Sequence, residues 1–273
     1  MLFDVKGIPP QEIKTDRQYP WAILQRTMIL TTKQIKFYEE NGYLIVEEFL
    51  SGDACDSIAR IYDEFACGQY VNVNNLDREI AEVHDLVTDP GILESVDSLQ
   101  DARMIPLATV YFFCKPGNPL ESGSNLHQDN LYARAPDGSY LAVGISLDDA
   151  DEGNGAVIVC PGTHRLGELP TDESKNYELD EHGDIISAYP IGNSVVLPEG
   201  WPSIQLSYAK GSLLFIHGHL VHGAPKNPSL TRWRRALYIN YIKDGDPFWP
   251  GWVAKRKLID RDKGLEGNLE LWS

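Results

Sequence analysis

Between Met104 and Ile242 the chain is cut into short β-prone runs separated by glycine, proline or acidic turns, and that spacing admits few folds. The runs cover 108–114, 141–147, 156–160, 195–197, 204–208, 212–216 and 236–242, and Lys115-Pro116-Gly117-Asn118-Pro119 breaks the first into a loop. Many short strands with such punctuation read as a sandwich or barrel. At 273 residues the chain is long for one domain, yet β barrels reach this length as single units. The expectation is one domain over 1–273. It has a mostly helical part to residue 100, a β core over 101–245 with a loop insertion at 165–203, and a tail over 246–273.

The segment before the strands carries helix signals. Thr31-Thr32-Lys33-Gln34 fits a capping box, in which threonine and glutamine satisfy each other's free backbone donors, and Asn41-Gly42 ends that helix. Tyr43 to Val46 reads as a strand. From Ser51, Ala54, Ile58, Ile61, Tyr62 and Phe65 recur at helical spacing, a stripe facing a core. A short helix is expected over 92–99. Residues up to about Leu30 are broken by prolines and charges and read as an arm over the surface, and Thr171 to Asp184 reads as a long acidic surface loop.

Charge excludes some functions. With 24 basic and 40 acidic residues the chain carries a formal −16, which repels nucleic-acid backbones and anionic membranes. Cys55, Cys67, Cys114 and Cys160 form no CxxC pair, so neither a zinc knuckle nor a disulfide framework is suggested; thiols in a reducing, cytoplasmic setting fit better. Met1 to Pro20 lacks the apolar run of a signal peptide.

His127-Gln128-Asp129 carries the chemistry. Residues two apart on a strand point to one side, so His127 and Asp129 can share an ion while Gln128 faces away. A third ligand must come from His217, His219 or His222. His222 is preferred, because His222-Gly223-Ala224-Pro225 opens a turn after a strand and leads to an arginine-bearing strand. Two imidazoles and one carboxylate are the ligands that hold non-haem Fe(II) with open positions. Arg234 adds a planar guanidinium suited to a co-substrate carboxylate. His164 reads as structural, His84 and His182 as surface residues, and the acidic run Asp148 to Glu152 as a solvated turn.

These residues, together with 154–164, 211–224 and Arg234-Arg235-Ala236-Leu237, resemble the phytanoyl-CoA dioxygenase family of Fe(II)/2-oxoglutarate oxygenases over residues 30 to 243. The resemblance implies a double-stranded β-helix, or cupin-like jelly roll, mainly β with flanking helices. It also implies iron bound by His127, Asp129 and His222, and 2-oxoglutarate bound by Arg234. Two departures stand out. The Arg-Arg pair lies one residue farther from His222 than the family pattern, which leaves Arg235 in competition with Arg234, and Ala224 stands where serine is commoner.

The function implied is hydroxylation or another oxidation of a C–H bond, with O2 as co-reactant and 2-oxoglutarate decarboxylated to succinate. Asp129 argues against halogenation, which needs the carboxylate position vacant. Two alternatives are a catalytically silent jelly-roll binding module and a cupin-type metalloenzyme that does not use 2-oxoglutarate. No basic cluster suits the phosphates of coenzyme A, which favours a small metabolite of specialised biosynthesis as substrate.

Overall fold

The long strand at the end of the β core shows how this sequence builds two compartments. Along Arg234–Lys243, Leu237, Ile239 and Tyr241 join the core beneath the helices, while Tyr238 packs into a second cluster with Val159, Leu206 and Leu214. Side chains alternate across a strand, so one sheet face meets a helical layer and the other lines a barrel interior.

The computed structural model describes residues 29–66, 72–117, 123–172, 178–179, 185–187 and 194–273. Most of the expected N-terminal arm, Cys67 and His182 lie outside these. The helices are α1 (Thr32–Asn41), α2 (Gly52–Ala66), α3 (Ala81–Val87), α4 (Pro90–Gln100), α5 (Asn130–Ala133) and α6 (Leu265–Trp272). The strands are β1 (Tyr43–Val46), β2 (Val73–Asn74), β3 (Met104–Cys114), β4 (Ser124–His127), β5 (Tyr140–Ser146), β6 (Ile158–Val159), β7 (Glu178–Leu179), β8 (Ile185–Ser187), β9 (Ile204–Gln205), β10 (Leu213–His217), β11 (His222–Ala224) and β12 (Arg234–Lys243).

A six-stranded sheet runs β1-β10-β5-β12-β3-β2 and a four-stranded sheet runs β4-β11-β6-β9, all antiparallel. Together they form the jelly roll. Helices α1 to α4 cover the outer face of the larger sheet, with Ile58, Tyr62, Val87, Ile92 and Val96 buried against Leu141, Val143, Phe215 and Leu237. Burying such side chains stabilises by roughly 1.5–3 kcal/mol each. The capping box at Thr31 and Gln34 forms as expected, and Gly42 ends α1 in the left-handed region at φ +81°. A side chain there is excluded twice, since a Cβ would also stand 2.5 Å from the His164 ring.

Several expectations need correction. Residues 195–197 make only a bridge between Val195 and Thr171, and the expected strand over 204–208 is reduced to Ile204–Gln205. Within the expected acidic loop, Glu178 and Leu179 form β7, which pairs antiparallel with β8 just beyond it. His84 is fully buried, its Nε2 beside the Lys263 carbonyl and the Asn268 amide, because α6 folds back over α3. The acidic turn is not simply solvated: Asp148 bonds Arg235, and Asp151 caps a 3-10 turn and pairs with Arg232.

Pro106 disturbs β3 in a useful way. Opposite it the register with β12 shifts between Asn240 and Tyr241, skipping Leu107. The carbonyls of Pro106 and Leu107 instead accept the N–H groups of Ile259 and Lys257, at 2.9 and 3.1 Å. The C-terminal segment is thereby anchored to the core.

Candidate metal centre

The small sheet brings the first and third candidate ligands together. His127 on β4 and His222 on β11 are directly paired across the ladder, and Val159 of β6 flanks His222 on its other side. Since Val159 belongs to the barrel interior, both imidazoles project there. Their ring centroids are 4.4 Å apart.

Asp129 arrives by a different route from the one the sequence suggested. It is not on a strand: β4 ends at His127, and Asp129 has helical backbone angles at the head of α5. The turn is imposed by Gln128, whose fully buried side chain donates to the carbonyls of Gly167 and His219 and accepts from the Leu169 N–H. Asp129 Oδ1 then lies 3.4 Å from His127 Nε2 and 3.8 Å from His222 Nε2. The three candidate ligand atoms lie within 4.8 Å of one another.

The donor set fits a metal in a second respect. Nδ1 of His127 stands 2.7 Å from the Asn125 carbonyl and Nδ1 of His222 stands 3.0 Å from the Leu220 carbonyl. A carbonyl only accepts, so each Nδ1 carries the hydrogen and each Nε2 turns its lone pair inward. Burial alone would raise the Asp129 carboxyl, but His222, His127 and Arg256 hold it down to about 2, so it is ionised. Burial lowers His222 despite Asp129, which keeps that imidazole neutral. At His127, burial is outweighed by the neighbouring Asp129 carboxylate, and its value rises.

Arg234 and Arg235, adjacent on β12, face opposite ways. Arg235 points to the helical layer, where Nε and Nη2 grip the two oxygens of Asp148 at 2.9 and 2.8 Å and Nη1 reaches Asp63 at 3.3 Å. Arg234 shares the inward face with Tyr238, is 6% exposed, and has a buried Nε with no hydrogen-bond partner among the described residues. Tyr208, Tyr238 and Arg234 are electrostatic neighbours. An inward guanidinium with an unsatisfied donor has the chemistry to take an anion.

The other histidines divide. His219 is buried with Nε2 3.0 Å from the Asn130 amide, and its carbonyl takes the Gln128 amide, so it supports the ligand turn. His217 and His164 lie with ring centroids 5.0 Å apart beside α1. Gln128, Asn130 and Arg256 were missed as supports of the site; their partners lie up to 124 positions away, and no local pattern marks them.

Comparison with known proteins follows the same lines. The family model for phytanoyl-CoA dioxygenase (PhyH) matches residues 38–236. Peroxisomal phytanoyl-CoA dioxygenase of Bos taurus is 26% identical over 246 residues, covering 78% of this chain and 68% of its own. The non-heme alpha ketoglutarate dependent carbocyclase SnoK from nogalamycin biosynthesis superposes with a TM-score of 0.63 at 20% identity, covering 82% of this chain and 88% of its own. The epimerase SnoN in complex with Fe3+, alpha ketoglutarate and nogalamycin RO superposes with a TM-score of 0.61 at 17% identity, covering 81% and 87%.

Proposed function

This chain belongs to the phytanoyl-CoA dioxygenase family, a family of Fe(II)/2-oxoglutarate-dependent oxygenases, and on that premise we propose that His127, Asp129 and His222 hold iron while Arg234 holds 2-oxoglutarate. The carrying observation is the pairing of two features on opposite sheets. Three ligand atoms converge with both imidazole Nδ1–H groups already engaged, and an inward Arg234 keeps an unpaired donor.

Iron(II) with 2-oxoglutarate and O2 supplies an oxidant that takes hydrogen from a C–H bond, the co-substrate losing carbon dioxide to become succinate. The chain's residues do the rest. The Asn125 and Leu220 carbonyls fix the imidazole planes. Gln128 and Asn130 set the turn that delivers Asp129. Arg234 binds and orients the distal carboxylate by charge-assisted hydrogen bonds, and the apolar wall of Val159, Leu206 and Leu214 excludes water from the barrel. Arg235, committed to Asp148, is free for no such role.

The substrate is proposed to be a small metabolite of a biosynthetic pathway, in a cytoplasmic protein of one domain. No helix among the described residues is long and apolar enough to cross a membrane, and Cys55, Cys114 and Cys160 are buried free thiols, consistent with a reducing compartment. The formal charge of −16 disfavours nucleic-acid and anionic-membrane partners.

Succinate release with Fe(II), 2-oxoglutarate and O2 across a metabolite panel tests the activity. Turnover lost in His222→Ala is the expected result. A wild-type protein that binds neither Fe(II) nor 2-oxoglutarate would instead make this a silent binding module. Turnover and metal binding that survive without any affinity for 2-oxoglutarate would make it a cupin-type enzyme.

A further inference from the structure

The C-terminal segment, after β12, passes directly behind α5, the helix with Asp129 at its N-cap. Helix α5 is four residues long, far too short to hold its shape alone, and its last carbonyls need external donors. The tail supplies them. Trp249 N–H donates to the Ala133 carbonyl at 2.6 Å, and Arg256 Nη1 donates to the Tyr132 carbonyl at 3.2 Å and to that of Trp249 at 3.4 Å. The Arg134 guanidinium lies 4.8 Å over the Trp249 ring. Beyond Arg256 the chain is fastened to Leu107 and Pro106 at the β3 bulge, so the strap is held at both ends.

Arg256 is the centre of this arrangement. It is 8% exposed, far more buried than a lone arginine normally is, and no carboxylate forms an ion pair with it among the described residues. Its guanidinium lies 5.9 Å over the Tyr140 ring, on β5 at the same end of the barrel, and its charge is felt at the Asp129 carboxylate. A single guanidinium nitrogen, Nη1, that bridges the carbonyls of α5 and of the strap fixes the turn that carries Asp129.

We propose that Arg256 is a positioning residue of the metal centre: by tying the C-terminal strap to the Tyr132 carbonyl it sets where the Asp129 carboxylate sits relative to His127 and His222. This rests on the metal reading given above. It makes the tail part of the site rather than an appendage.

Co(II) binding by the full chain tests this without turnover. Arg256→Met is expected to weaken Co(II) binding about tenfold and shift the visible ligand-field band, the scale of outer-shell losses. Arg256→Lys keeps the charge but has a shorter reach to the two carbonyls and no planar group over Tyr140, and is expected to recover only part of the affinity. Ile259→Val loosens the same segment without touching α5 and is expected to bind as wild type. Unchanged or tighter binding in Arg256→Met overturns the proposal, because removing a cation beside a divalent site with no positional role can only relieve repulsion. An equal loss in Ile259→Val also overturns it. If Arg256→Met fails to fold, Arg256→Lys against Ile259→Val is read by the same criteria. Wild-type chain that binds no Co(II) sinks the metal reading itself, whereas normal wild-type binding with an unaffected Arg256→Met sinks only this inference.

Discussion

The side-chain amide of Gln128 donates to the main-chain carbonyl of His219 at 2.7 Å, tying the turn between the first two candidate ligands to the strand connection that delivers the third. The bond spans 91 positions and is buried. It makes the relative placement of Asp129 and His222 a property of one amide group.

Gln128→Leu keeps the side-chain volume but strands the Gly167 and His219 carbonyls and the Leu169 N–H. Unsatisfied buried groups cost about 1–3 kcal/mol each before relaxation. The expected result is a loss of about 2–4 kcal/mol in urea unfolding and about tenfold weaker metal binding. Stability lost with full metal affinity would show that the turn holds without Gln128.

The two neighbouring arginines give opposite signatures. Arg234→Ala is expected to weaken 2-oxoglutarate binding by about 100-fold, the scale of lost charge-assisted bonds, with little change in melting temperature. Arg235→Met leaves Asp148 unpaired at a site where the two side chains are 16% and 19% exposed, and is expected to cost about 2–3 kcal/mol while co-substrate affinity stays normal. Calorimetric titration of both variants decides. The reverse pattern would transfer the co-substrate role to Arg235.

Gly223 follows His222 where β11 passes close to β4. A Cβ there would meet the carbonyl oxygens of Asn125 and Ser124 at 2.8 Å, and backbone cannot step aside as a flexible side chain can. Gly223→Ala should therefore push the strands apart, lowering stability by about 1–3 kcal/mol and metal affinity at least about tenfold. A variant with wild-type Co(II) affinity contradicts this.

Acid should weaken the fold through His217. Burial, aided by His164, His219 and Lys243, pushes its value down to about 3, and its Nδ1 accepts the His219 N–H, so the folded ring stays neutral. In the unfolded chain the ring takes a proton below about pH 6.5, so the unfolded state binds more protons and stability falls as pH drops from there toward 3. The slope is at most about 1.4 kcal/mol per pH unit. Between pH 7 and 5, His217→Gln should reduce the drop in unfolding free energy by about 1–2 kcal/mol. Parallel curves for variant and wild type would refute the assignment.

The gathering of His127, Asp129 and His222 and the barrel around them were readable from residue pattern because both depend on short-range signals: His127 and Asp129 two apart, a turn after His222, punctuated β-prone runs. Which of Arg234 and Arg235 faces the barrel interior was not, since spacing says nothing of which face of β12 looks inward; Leu237 and Tyr238 decide that only once the helices are placed. Asp129 reached the expected place by an unexpected path, because strand parity ignores the pull of Gln128 on Gly167 and His219. His84 was misjudged for a related reason, its cover being a helix almost at the end of the chain.

With the imidazoles on the four-stranded sheet and Arg234 on the six-stranded one, the proposed site would make the sandwich a calliper. A keto acid bound as proposed must reach from wall to wall, and facing sheets stand about 10 Å apart. Its chain length is then gauged by the thickness of the packing between the sheets. On that proposal, discrimination against shorter or longer diacids would belong to the architecture as a whole, and a bulkier side chain wedged between the walls should retune it even far from the candidate metal centre.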